Sequence, residues 1–333
     1  MPFAVTNGVH VQTGQGFMPA ALKTFIPEVW AAKFLVDLEA TAILSSPLIV
    51  NRDYEGEFQG AGETVRIPHT LDTVTIQEGE FKAYDRIGAP DKADLDSVTM
   101  RIDQSRVWHF EVDPLHQKRT QDGINLTANL IKDAASKLAW SIDKHVAATL
   151  VSAIKGKDKN NADAAHWGQI KQFAPPTDGD TLYNTLVDMR TQLDIDNVPE
   201  AGRFILTGPK EYAYLLKSDK FIDAAQYGAG AVKVTGEVGR ILGMPVVISN
   251  TVGSHLDTAT PAKRGVKPTP AHGKGIHVLV GHQMATTFAG ELAEVKPYEP
   301  EAAFTHAVKG RYYFGCKVLR PEAIVTAGNV VLT

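Results

Sequence analysis

The sequence predicts an α+β protein with more than one lobe. Three observations carry this: short alternating runs between about residues 51 and 112, one unbroken helical stripe from Gln121 to Ile154, and a remaining half in which helix-like and strand-like segments take turns. At 333 residues the chain exceeds what one hydrophobic core usually serves, and its 44% apolar composition is ample to fill two.

Residues 1 to about 24 are rich in Gly, Thr, Gln and Asn with no period, and read as an extended arm. Pro27 then opens PEVWAAKFLVDLEATAIL, in which Trp30, Phe34, Leu38 and Ala42 recur every four residues on one helical face. The runs ETVRIPH, TVTIQ, DSVTMRID and RVWHFEVD alternate as antiparallel strands do. Between them EGEFKAYDRIGAPDKADLD, residues 78 to 96, is too polar to bury a face. From Asn51 to Asp96 eleven acids stand against five Lys/Arg, a net charge of -6, so a long acidic hairpin projecting from the body is expected.

From Gln121 to Ile154 no Pro occurs and no Gly follows Gly123. Leu126, Leu130, Ala134, Leu138, Ile142, Val146 and Leu150 keep an i, i+4 stripe, which predicts one helix of about 50 Å. KGKDKNNADAAHWG follows as a polar loop. TLYNTLVDMRTQL, GRFILTG, PKEYAYLLKS, MPVVISN and IHVLVG then alternate helix and strand signals. Residues 255 to 275 form a basic surface loop, with Lys263, Arg264, Lys267 and Lys274 against Asp257, and FTHAVKGRYYFGCKVLRPEAIVTA returns to strand chemistry.

No constellation for catalysis, a cofactor or a metal emerges. In GEVGRILGMPVVISN the glycines Gly236, Gly239 and Gly243 precede a strand, expected at Val246 to Ser249, whereas a phosphate-gripping loop follows a strand and opens a helix. His277 and His282 flank or lie on one strand, five residues apart, so they face opposite ways and cannot share an ion. Together with His272 they read as surface or loop histidines. DIDN, Asp194 to Asn197, opens like a calcium loop but continues with Val198 and Pro199 where a ligand and a Gly are required. Ser141 and Lys144 lack the companion motifs of Ser/Lys hydrolases. Trp30, Trp108 and Trp140 read as core or interface packing, and the single cysteine, Cys316, as a small buried hydrophobe that excludes an internal disulfide. A net charge of -4 argues against a dedicated nucleic-acid binder. No run approaches the ~20 apolar residues of a bilayer span, and the opening residues lack the features of a signal peptide, so neither membrane insertion nor export by that route is expected.

The order of arm, short helix, acidic hairpin, long helix, α+β lobe and closing strands resembles that of the major capsid proteins of tailed double-stranded DNA phages, the Hong Kong 97 fold. FIPEVWAAKFLVDLEA, LIVNRDYEGEFQGAGETVRIP, RFILTGPKEYAYLLKSDKFIDAAQYG, VGRILGMPVVISNTV and GCKVLRPEAIV are similar to stretches of that family at matching places, and the resemblance covers most of the chain from Phe25 onward. It implies an N-terminal arm and first helix at residues 1 to 52, an extended loop at 53 to 96, a peripheral domain with a spine helix at 97 to 179, an axial domain at 180 to 290, and return strands of the peripheral domain at 291 to 333. Gly243 is then a turn glycine.

The implied function is structural: hexamers and pentamers of this chain forming an icosahedral shell around packaged double-stranded DNA, without sequence-specific binding. The implied partners are a separate scaffolding protein, a portal and a decoration protein, with assembly in the host cytoplasm and residence in the virion. An encapsulin-type compartment and an α/β enzyme stand as the alternatives. Candidate contacts between subunits are the loop aromatics Phe81 and Tyr84, and the basic residues Arg101, Arg106, Arg311 and Arg320 as counterparts for the loop's acids.

Overall fold

The computed structural model describes residues 34–38, 41–56, 64–70, 95–113, 123–155, 170–217, 239–257, 273–300 and 305–330. The arm, the TVTIQ run, the loop residues Phe81 and Tyr84, most of the basic 255 to 275 loop and His272 lie outside them.

The longest element is the spine helix, α1 (Gly123–Ile154), 32 residues and so roughly 48 Å. Its expected stripe is its packed face: Leu138, Ile142, Val146 and Leu150 are buried, and Ile131, Ala135, Ala139 and Ala147 widen the buried strip. That strip packs on a three-stranded antiparallel sheet in the order β3 (Gln104–Val112), β10 (His306–Val318), β9 (Thr286–Tyr298). Along β3 half-buried and exposed residues alternate strictly, so Arg106, Trp108 and Phe110 face the helix side while Val107 and His109 face outward. Trp108 stacks between Phe34, at 4.8 Å, and Phe110, at 5.9 Å. Phe34 and Leu38 belong to a helical turn at residues 34–38, and both are buried. Gly310 lies directly across from Trp108, and a Cβ there would overlap the indole, so only glycine lets the ring lie flat on the strand.

The second sheet has six strands in the order β4 (Lys171–Phe173), β11 (Ile324–Gly328), β8 (Ile276–His282), β5 (Arg203–Thr207), β7 (Met244–Ile248), β6 (Arg240–Ile241). Against it pack α2 (Gly179–Ile195) and α3 (Pro209–Lys217). The sheet draws β4 and β11 from outside residues 180 to 290, while β9 begins within that range and pairs with β10. The expected boundaries at 179 and 290 therefore cut across hydrogen-bonded strands. Such pairing is long-range, and local patterns do not encode it.

Residues at the ends of α2 explain its limits. Asp178 accepts from Thr181 N at 2.7 Å while Thr181 Oγ1 accepts from Asp178 N at 3.1 Å, a reciprocal cap. At the other end Asn197 takes φ 53, Val198 N donates to Leu193 O at 3.0 Å and Asn197 N to Asp194 O at 3.2 Å. These two bonds close a Schellman motif, with Leu193 and Val198 buried together. The DIDN segment is thus a helix stop. Between β6 and β7 a two-residue turn, Leu242 at φ 51 and Gly243 at φ 82, has the left-handed pair that matches strand twist in a hairpin. Gly243 is a turn glycine, and the strand after it starts at Met244, two residues before the expected Val246.

His277 and His282 differ from expectation. Both lie on β8, buried on both faces of the sheet, rather than on the surface. His277 Nε2 lies 2.6 Å from Asp257 Oδ2, and His282 Nε2 lies 2.7 Å from the carbonyl of Ala201, so each polar tip is answered separately. Trp140 is 52% exposed on α1 with Lys144 Nζ 3.0 Å from its ring centroid, so of the two settings expected for it, core and interface, it is no part of this subunit's core. Cys316 is half-buried against the main core.

Candidate assembly surfaces

Strands β1 (Thr64–Thr70) and β2 (Leu95–Arg101) pair antiparallel from Thr64 opposite Arg101 to Thr70 opposite Leu95, and they bracket the acidic stretch. They are the root of the expected hairpin. That root has a small core of its own: Val65, Ile67, Met100, Ile102 and Ala289, flanked by Tyr54, Tyr313 and Leu319. Lys317, 5% exposed on β10, reaches across to donate from Nζ to Thr99 O at 2.9 Å. Gly315 admits the carbonyl of Arg101 closely against β10. The β1–β2 ribbon is therefore fastened by five buried side chains and the buried Lys317.

The four expected basic contacts fall in different settings. Arg101 ends β2 and is exposed. Arg311 is exposed on the outer face of β10, where Nη1 donates to Tyr313 Oη at 2.7 Å and Glu294 stands directly across on β9. Arg320 is exposed just before a 3-10 turn, Pro321–Ala323, with its backbone N donating to Ala285 O at 3.1 Å. Arg106 is half-buried and engaged within its own subunit. Its Nε donates to Ser141 Oγ at 3.0 Å, Nη1 to Ser105 O at 3.0 Å and Gln104 Oε1 at 3.3 Å, and the guanidinium lies 5.3 Å from the Phe314 ring centroid. Arg106 thus ties β3 to the spine helix. The structure does not gather the four into one patch, and Phe81 and Tyr84 lie outside the described residues.

Two surfaces escape the sequence reading. The outer face of the three-stranded sheet sets Lys309 between His109 and Lys296. Lys296 pairs with Glu294, which holds that carboxyl below its usual range, and Lys309 Nζ lies 5.0 Å from the Tyr298 ring centroid. Val107, 63% exposed, sits on the edge strand of this face opposite Arg311, and the strand register is the signal that assembles it. The second surface is internal. Asp143, 4% exposed on α1, accepts from Ile43 N at 3.1 Å and Leu44 N at 3.0 Å. Burial lifts its pKa to about 6, and those backbone donors pull the other way without cancelling it. One carboxylate thereby fixes the direction in which the chain enters from its N-terminal side.

Among the described residues no group of three or more His, Cys, Asp or Glu side chains could hold a metal ion, and no helix is long and apolar enough to cross a membrane.

Comparison with known proteins accounts for this architecture. No curated protein matches the chain in sequence. Solved structures share its fold: one of Mycobacterium phage Che8 has a TM-score of 0.57 at 21% identity, covering 84% of this chain and 88% of that one. The capsid of Cyanophage P-SCSP1u has a TM-score of 0.59 at 17% identity, covering 81% and 84%. The mature capsid of bacteriophage PhiM1 has a TM-score of 0.55 at 17% identity, covering 80% and 81%. The Hong Kong 97-type capsid fold is thus the fold of this chain. A family model described as phage capsid protein matches residues 119–327, from just before the spine helix to the end of β11. That match takes in more than half of the 333 residues, and with it the chain belongs to the phage capsid protein family, as a major capsid shell protein.

Proposed function

We propose that this chain tiles an icosahedral shell as hexamers and pentamers of one subunit, enclosing packaged double-stranded phage DNA. The observation that carries the reading is the paired ribbon β1–β2. It is rooted by a small core and brackets residues 71 to 94, in which six acids stand against three Lys/Arg. A two-stranded ribbon is marginal alone in water, so it gains its stability by lying on a neighbour. Phe81 and Tyr84 are its apolar anchors, and the exposed Arg101, Arg311 and Arg320 of adjacent copies answer its acids. Arg106, committed to Ser141 and Phe314, is left out of that set.

The division into arm, extended loop, peripheral domain and axial domain is retained, with β4 and β11 assigned to the axial sheet. The role is structural rather than catalytic. Assembly takes place in the host cytoplasm with a separate scaffolding protein, a portal and a decoration protein as partners, and DNA is enclosed without being read in sequence. The test is removal of residues 78 to 94 with a short Gly-containing turn in their place. The subunit is expected to keep its circular dichroism and melting temperature while shells vanish from sedimentation and electron microscopy. Normal, equally stable particles from the deletion would overturn the interlocking role.

A further inference from the structure

The two sheets are joined where β8 runs on into β9 and β10 runs on into β11. Each crossing passes through a 3-10 turn, Gln283–Ala285 in the first and Pro321–Ala323 in the second. The crossings are tied to each other at one atom, since Ala285 O accepts from Leu319 N at 2.8 Å and from Arg320 N at 3.1 Å. The first is also tied to the start of β5, where Gln283 N donates to Gly202 O at 3.0 Å. Whatever holds the Gln283–Ala285 turn therefore bears on both crossings.

That turn is capped by His282, buried at the end of β8. Met284 N donates to Nδ1 at 3.2 Å, and Nε2 lies 2.7 Å from Ala201 O. A carbonyl can only accept, so the ring proton is on Nε2, and Nδ1, which receives an N–H, keeps its lone pair. Together the two bonds require the neutral ring in one tautomer. An imidazolium would set two N–H groups against each other at Met284. Among the charged groups on the surrounding elements, Arg203 stands directly across on β5, its guanidinium bound to Asp194 of α2 at 2.6 Å. Glu200 lies on the turn leading into β5, and Arg320 and Glu322 lie on the second crossing. The group in register with His282 is thus a cation, which disfavours a second positive charge beside it.

We propose that His282 is a pH-sensitive lock on the crossing between the two sheets. The neutral ring holds the Gln283–Ala285 turn. When the ring takes a proton from solvent, the Met284 bond is lost, the turn opens, and the six-stranded sheet is free to change its angle against the three-stranded one. Met284 is 48% exposed, so water can take up the amide that the ring releases. Histidine outside a fold takes its proton at about pH 6.5. The proton therefore binds the opened turn, and the lock is set above about pH 7 and weakens as the pH falls through about 6. It is a property of the subunit and stands apart from the shell geometry proposed above.

The test compares full-length, unassembled subunits at pH 7.5 and pH 5. Hydrogen exchange of the Met284 amide, corrected for the pH dependence of intrinsic exchange, should lose protection by about tenfold or more in wild type. His282→Asn keeps a side-chain acceptor for Met284 N that acid does not protonate, so its protection should change by less than about twofold. Spin labels on Val107→Cys and Ile195→Cys, exposed on the three-stranded sheet and on α2, report the angle between the sheets in a Cys316→Ser background. Their distance distribution should shift or broaden at pH 5 with His282 and hold with His282→Asn. Unchanged Met284 protection in wild type would overturn the lock, a result that does not depend on the variant folding. The same loss in His282→Asn would overturn it too, and lost protection without any change in the label distances would overturn the control of the sheet angle.

Discussion

The interior under the spine helix and the root of the extended loop are both hydrophobic, and they differ in kind. The first is a continuous cluster running from Phe34 through α1 and both sheets to Val330. The second is five side chains and a lysine between two strands and the outer face of β10. Free energy of local opening follows the amount of apolar surface that must be exposed, so the two should open separately and at different cost. A shell subunit gains from that separation. Its body can then stay folded while the ribbon opens locally.

The largest effect is expected from Leu138→Asp, which places an unpaired carboxylate where 6% of the side chain is exposed. The variant should lose at least about 4 kcal/mol and fail to fold. Urea denaturation with Lys137→Asp as the control checks this. Lys137 is 74% exposed and pairs with Asp133 at 2.6 Å, so the control should lose no more than about 0.5 kcal/mol for the broken pair, plus a similar like-charge term. Equal melting of the two would mean the packed face of α1 is misassigned.

Next is Ile67→Ala, at the root of the loop. The cavity costs roughly 2–3 kcal/mol, felt locally. Hydrogen exchange should speed up for the amides of β1 and β2 and stay unchanged in the middle of α1. A uniform rise in exchange would show the two regions to be one cooperative unit.

The smallest effect sharpens the boundary between the main interior and the N-terminal segment. The pKa of Asp143 is about 6 in the folded protein against 3.8 for the free side chain, so the folded state holds its proton more tightly. The contribution of this group to stability is therefore most favourable below about pH 4, falls as pH rises through 4 to 6, and is flat above. The stability difference between wild type and Asp143→Asn should change by on the order of 1–2 kcal/mol between pH 4.5 and pH 7, with wild type relatively better at the lower pH. A difference independent of pH would show that the carboxyl is not desolvated.

What the sequence disclosed and concealed follows from the range of the interactions. The spine helix was legible to within two residues, because a 3.6-residue period without a breaker is a local property. The strands of the tail were legible for similar reasons, while the turn at Gly243 came from the family resemblance. The histidines of β8 were misread because a strand covered on both faces shows no alternation to place them. Arg106 was counted as a contact between subunits because nothing local announces that Ser141, thirty-five residues away, accepts a hydrogen bond from its Nε. A cleft lined by Leu48, Arg190, residues 200 to 203, Arg240 and residues 242 to 245 was invisible, since only the folded sheet brings these together.

The placement of β11 has a consequence for the ribosome. β8 is buried along its whole length, and β11 is one of its two flanking strands. While the chain is being made, β5 and β7 emerge before β8, but the other flank of β8 is missing until residue 328 has been synthesised. During that interval a strand destined to be buried along its whole length carries an open hydrogen-bonding edge. Chains stalled or truncated between β10 and β11 should therefore be strong substrates for chaperones and should aggregate with one another, while full-length chains released moments later should not.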